Sequence, residues 1–275
     1  MNPLLLALGA SLAWGVADFV GPVVSRTLGA LRIMFWAQVG GLAGIGLAVA
    51  VRGQGPGGWG VLFAAAAAVG GTLGLFAYYR GMATGAMSVV APIAGASAVI
   101  PVIFGIATGD SPSPAQLAGI ACALVGVALA SVEQSGGERK LAAGVGLALL
   151  AALGFGFYFP PMHAAGKVDF WWASLVFRAT ALLLVATAVA VRRPALRLGP
   201  KSLTIAILVG LGDMVGNALF AASSGRGLVS LTAVLASLYP LVTVLLAAAL
   251  LREQVAPLQR AGIVLTLAGV VLIAF

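Results

Sequence analysis

Four side chains in this 275-residue sequence carry unusual chemistry because each lies inside an otherwise apolar run: Asp18, Arg178, Asp213 and Asn217. An ionised group at the centre of a bilayer costs roughly 2.5–3.5 kcal/mol, so each needs a partner or a water-filled cavity. Asp213 and Asn217 are four residues apart and share a helix face. Two readings follow. In one, Asp213 pairs with Arg178 as a structural bridge between neighbouring helices. In the other, Asp213 or Asp18 lines a pathway and binds a substrate ammonium or carries a proton. Asp18, nearer the end of its run, also lies within reach of interfacial water.

Aromatic groups form a second set. Trp14, Tyr78, Tyr79, Tyr158 and Tyr239 fall within or near the ends of different runs. A buried tyrosine joins an apolar face to one hydrogen-bonding group, which suits recognition of amphipathic small molecules. Trp59, Trp171 and Trp172 stand near run starts, as an interfacial aromatic belt requires. A third chemistry would be covalent: Ser97 in Gly95-Ala-Ser97-Ala98 and His163, the only histidine, are a nucleophile and a base for an intramembrane serine protease. The glycine expected after such a serine is alanine, and the dyad would occur once in a chain that is otherwise duplicated.

The elements that must position these groups are membrane helices. Hydrophobic residues make up 61% of the chain and charged residues 8%, more apolar surface than soluble packing at this length can hide. About 20 apolar residues cross a bilayer. Ten such spans fit, at about 3–23, 30–51, 57–80, 86–107, 114–132, 141–163, 171–191, 202–222, 229–250 and 257–275, separated by turn residues such as Gly53 to Gly58 and Gly109 to Pro114. Apolar sequence begins without a basic leader, so the first span reads as a retained helix.

The chain is written twice. Residues 9–131 and 146–274 share one pattern displaced by about 140 positions: Gly70, Gly74, Tyr78 and Ser88 match Gly212, Gly216, Phe220 and Ser230. Pro114, Gln116, Gly119 and Gly126 match Pro257, Gln259, Gly262 and Gly269, Pro22 matches Pro161, and Ala48-Val-Ala-Val-Arg52 matches Ala188-Val-Ala-Val-Arg192. Five spans per copy place the second copy upside down relative to the first, the arrangement of a transporter. The predicted fold is an all-α membrane protein of ten transmembrane helices in two inverted five-helix repeats, 1–135 and 136–275. Prolines within the spans, Pro22, Pro92, Pro101, Pro160, Pro161 and Pro240, predict bends where a cavity re-satisfies the backbone. Glycines at small-residue spacings, such as Gly40 with Gly44, predict close helix packing.

The net charge of +8 is spread singly over helix ends, which argues for topology and against a nucleic-acid partner. Eleven Lys and Arg follow odd-numbered spans; Arg52, Lys167 and Arg226 follow even-numbered ones, and Arg178 is the fifteenth. Basic residues favour the cytoplasm, so both termini are expected outside a cytoplasmic (inner) membrane. The single cysteine, Cys122, excludes an internal disulfide and a thiolate metal site, and no cofactor or metal is expected. No filter motif of carbonyl or charged rings suggests a channel.

The motifs Ala77-Tyr-Tyr-Arg-Gly81, Ser88-Val-Val-Ala-Pro92, Ser237-Leu-Tyr-Pro-Leu-Val-Thr, Arg252-Glu253, Pro257-Leu-Gln-Arg-Ala-Gly262 and Leu267-Ala-Gly269 resemble the drug/metabolite transporter superfamily, specifically its ten-helix EamA-type members. Arg252 stands where that family usually has glycine. The resemblance spans the whole length. It implies a bundle whose cavity is lined by spans 1, 3, 4, 6, 8 and 9, with spans 5 and 10 outside. Mapped onto this chain, the cavity residues are Trp14, Asp18, Tyr78, Tyr79, Ser97, Tyr158, Asp213, Asn217 and Tyr239. It further implies export of metabolites, with aromatic amino acid exporters of the YddG type the nearest fit and cationic-drug efflux the alternative. Expected partners are a small-molecule substrate and the lipid bilayer, with proton coupling open. Family members commonly have cytoplasmic termini, the reverse of the charge count. The small-residue faces of spans 5 and 10 permit a dimer without requiring one.

Overall fold

The computed structural model describes residues 1–84, 94, 96–130, 139–250 and 257–274. The Ser88 to Pro92 motif, Gly95, the junction from Glu133 to Gly137 and the Arg252-Glu253 pair lie outside them. The described chain is helical throughout: α1 Pro3–Leu28, α2 Ala30–Arg52, α3 Phe63–Thr84, α4 Val99–Ala107, α5 Pro114–Ala130, α6 Arg139–Arg192, α7 Pro200–Ser224, α8 Val229–Ala236, α9 Tyr239–Leu250 and α10 Pro257–Ala274.

Among the described residues, five helices are long and apolar enough to cross a membrane: α1, α2, α3 with the turn before it, α6 and α7. The 54 residues of α6 are two spans joined at Asp169, whose backbone is extended (φ −162°, ψ 106°), so the loop expected between 163 and 171 is a one-residue break. The ninth span is the reverse case. It is interrupted at Ser237 and Leu238, between α8 and α9, because Pro240 lacks the N–H that would continue the ladder. A 3₁₀ turn at Ala96–Ala98 precedes α4, so spans 4 and 9 are irregular at matching places. Pro22 and the pair Pro160-Pro161, in contrast, lie within uninterrupted helix.

Glycine contacts show that the repeats are inverted. Gly119 packs on Gly269 and Ile273, while Gly126 packs on Gly262 and Thr266, so α5 and α10 run antiparallel and each repeat presents the same glycines to the other. Likewise Gly70 and Gly74 meet Gly154 and Phe155, and Gly216 and Gly21 meet Trp14 and Val209. Thus α3 lies antiparallel to the first arm of α6, and α1 antiparallel to α7. A Cβ at Gly70, Gly74, Gly119, Gly126, Gly154, Gly216 or Gly269 would sit less than 3 Å from a neighbouring atom, and lipid offers no hydrophobic reward for association. Close backbone approach is therefore what binds the halves. The outside is apolar instead: Leu5, Leu12, Val16 and Val23 form one exposed stripe along α1.

The two hinges between the first and second spans of each repeat occupy matched positions, 140 residues apart. Gly29 joins α1 to α2 with φ +87°, a conformation glycine adopts without steric cost, and Asp169 joins the arms of α6.

Candidate functional site

The pseudo-two-fold relation between the repeats passes through a hydrogen bond. The Arg178 Nη1 donates to Gln38 Oε1 at 2.7 Å, and residues 38 and 178 are the same position of the two copies. Arg178 is completely buried, and Gly41 makes room for it, since a Cβ there would lie 3.2 Å from the arginine Cδ and Nε. Its Nη2 forms an ion pair with Asp213 Oδ2. Asn217 donates to the Asp213 backbone carbonyl at 2.7 Å and reaches its Oδ1 at 3.4 Å, which fixes the carboxylate's direction. The structural bridge expected from sequence therefore forms, with Gln38 as its third member. Asp213 nonetheless keeps 31% of its side chain exposed, toward a cavity.

That cavity lies between the halves and measures about 80 Å³ as space open to the centre of a water molecule, enough for several waters. Trp14, Asp18 and Gln38 enter it from α1 and α2; Gly71, Thr72 and Leu75 from α3; Phe155, Tyr158, Phe159 and Phe177 from the two arms of α6; Asp213 and Asn217 from α7; and Tyr239 from the break in span 9. The walls are a continuous aromatic cage. The Trp14 ring centre stands 5.8 Å from Tyr158 and 6.3 Å from both Phe159 and Tyr239, mostly edge to face, the geometry aromatic quadrupoles favour. Gly216 leaves the space in which the Trp14 indole sits.

Polar groups enter this cage at few points. The hydroxyls of Thr72 and Tyr158 are buried and have no hydrogen-bond partner among the described residues. Leaving a buried hydroxyl unmade costs about 1–3 kcal/mol, a cost that a bound water would relieve. Asp18 makes no ion pair with any described residue and lines both this cavity and a smaller one shared with Asp213, Tyr79, Met34 and Val209. The charged residues of the lining are two acids, Asp18 and Asp213, and with Arg178 behind the second the group carries a formal charge of −1.

Of the residues expected at a site, Trp14, Asp18, Tyr158, Asp213, Asn217 and Tyr239 meet in the main cavity, with Arg178 behind them, and Tyr79 lies in the smaller one. Tyr78 packs into a satellite cluster with Ala77, Ala94 and Ala148, against the Phe155 ring at 5.9 Å, and does not line either cavity. Ser97 is buried away from both. Its hydroxyl and the His163 Nδ1 each lack a partner, so no Ser-His hydrogen bond exists. Sequence reading omitted Gln38, Thr72 and the phenylalanines; the 140-residue repeat offset was the signal that would have paired Gln38 with Arg178.

A search of curated protein sequences finds no match. A solved crystal structure at 18% identity superposes with a TM-score of 0.79 over 98% of this chain and 95% of its own, which establishes likeness of fold. The model of the EamA-like transporter family matches twice, at residues 1–132 and 142–275. The chain is thus a membrane transporter of the drug/metabolite transporter superfamily and belongs to the EamA-like transporter family.

Proposed function

We propose that the chain exports small amphipathic metabolites, with aromatic or apolar amino acids as the first substrate class, by rocking its two repeats, 1–135 and 136–275, about the central cage. The observation that carries this reading is the combination, in one cavity between the halves, of an aromatic wall with a carboxylate and two hydroxyls that have no partner among the described residues. Asp18 would receive the substrate ammonium, the Tyr158 and Thr72 hydroxyls would donate to its carboxylate, and the rings of Trp14, Phe155 and Tyr239 would cover its side chain. Proton coupling through Asp18 belongs to the same reading. Broken helices at the binding depth support alternating access, because an irregular backbone in lipid is tolerated where it lines a cavity.

Uptake of labelled phenylalanine into liposomes containing the purified chain tests this directly. Saturable counterflow that falls at least tenfold in Asp18→Asn is expected; flux that rises linearly with concentration, or none, would sink it. The second reading, efflux of organic cations, is favoured by the net negative lining together with the ring faces, which attract cations. Inhibition of phenylalanine counterflow by tetraphenylphosphonium, with transport of that cation itself, would give it precedence. The charge count adds that the termini face outward from a cytoplasmic membrane.

A further inference from the structure

The three basic residues that follow even-numbered spans, Arg52, Lys167 and Arg226, all line a single cavity of about 260 Å³. They come from three elements: the end of α2, the end of the first arm of α6 and the turn after α7. Membrane proteins hold few cations on the side their charge bias disfavours. That all three found there converge points to a role beyond topology.

Only one acid shares the cavity, and it is already engaged. The Asp169 carboxylate accepts from Arg52 Nη1 at 2.7 and 2.8 Å and from the Trp171 and Trp172 backbone N–H groups at 3.0 and 3.3 Å. Three cations against one anion leave a formal charge of +2, and neither Lys167 nor Arg226 meets an acid among the described residues. Arg226 is also held in place: its Nη1 donates to the Ala222 carbonyl at 2.9 Å and its guanidinium lies 5.4 Å over the Phe170 ring. Its other N–H donors meet no acceptor among the described residues. Phe170 and Trp171 flank the same space, and aromatic side chains are enriched where membrane proteins meet lipid headgroups.

We propose that this cavity binds an oxyanion of the phosphate class, with Arg226 and Lys167 as its ligands and Arg52 adding charge from behind. The site is independent of the transported substrate. Phosphate can arrive free or as the headgroup of an anionic lipid, and the two sources are separable. The test is the thermal midpoint of the purified chain titrated with inorganic phosphate against chloride at matched ionic strength, and in phosphatidylglycerol against phosphatidylcholine vesicles. Saturable stabilisation by phosphate assigns a soluble anion, stabilisation by phosphatidylglycerol alone assigns the lipid, and either must weaken at least tenfold in midpoint concentration or mole fraction in Lys167→Gln/Arg226→Gln. That variant keeps the Arg52–Asp169 pair, and Lys167→Gln alone, at an exposed position, serves if the double variant is poorly folded. No selective stabilisation by either ligand, or equal stabilisation of wild type and variants, overturns the proposal.

Discussion

At the residue scale, the energetics turn on the asymmetry of the Arg178–Asp213 pair. Arg178 is sealed from solvent while Asp213 is about one-third exposed, so removing the acid strands a buried cation, whereas removing the arginine frees an acid that already meets the cavity. Asp213→Asn is therefore expected to destabilise the chain by about 3–5 kcal/mol, and adding Arg178→Met should recover most of that loss. Melting curves of the two single variants and the double variant close the cycle; a double variant as unstable as the sum of its parents would refute the pairing argument. Thr72 and Tyr158 make the opposite case. Other hydroxyls, such as Ser174, Thr187 and Thr232, bond the carbonyl four residues earlier, the usual fate of a hydroxyl in a membrane helix. Those of Thr72 and Tyr158 bond no described residue, so Tyr158→Phe should leave stability unchanged or slightly raised while increasing KM about tenfold with little change in kcat. The same contrast marks what was legible in the sequence. A charge in lipid announces its need of a partner, so Asp213 and Arg178 could be read directly; an uncharged Gln38 or a threonine makes no such demand, and only the folded cavity reveals its part.

At the element scale, close backbone contact works beside a buried apolar core that includes Phe159, Met162 and Phe220. A Cβ at Gly210 would collide with the Ala37 backbone carbonyl, and one at Gly216 would press on the Trp14 indole, whereas one at Gly46, in the same α2 that carries Ala37, meets nothing within 4 Å. Gly210→Ala should thus cost about 1–3 kcal/mol through displaced backbone, and Gly46→Ala should be neutral or stabilise by up to about 1 kcal/mol by improving helix propensity. Gly216→Ala is predicted to differ from both: the indole is a movable side chain, so the loss should appear mainly as weaker substrate binding, read from counterflow KM alongside the melting midpoint. Element count and inverted topology were legible from periodicity and the repeat, since lipid requires about 20 apolar residues per crossing whatever the packing. The breaks were less so. The one-residue hinge at Asp169 escaped because Gly166, Lys167 and Asp169 together look like a loop, and the interruption at Ser237 escaped because its apolar run is unbroken and only Pro240 hints at it.

At the scale of the whole molecule, an inverted repeat would make its two faces equivalent, and, beyond the pairing of Gln38 with Arg178, this chain departs from that symmetry at the ends of spans 2 and 7. Spans 2 and 7 are clipped together at both ends by indole N–H groups: Trp172 donates to the Gln54 carbonyl and Trp36 to the Leu196 carbonyl, each at 2.9 Å. Only one end adds an ion pair. Asp169 meets Arg52, but at the matched positions Gly29 has no side chain and Arg192 meets no acid among the described residues. On the proposed rocking mechanism, the face carrying Arg52 and Asp169 is then held shut more firmly than its counterpart, which biases the resting state toward the opposite opening. Asp169→Asn isolates this effect, because asparagine still caps the second arm of α6 but gives up the charge. In a Cys122→Ser background with Thr72→Cys as a reporter in the cavity, a membrane-impermeant thiol reagent applied from the Arg52 face should label the Asp169→Asn chain several-fold faster. Losing about 1 kcal/mol of a partly exposed pair shifts a two-state population by about that factor. Applied from the other face, the reagent should label it more slowly, since the two openings draw on one population; acceleration from both faces would signal general loosening and defeat the latch.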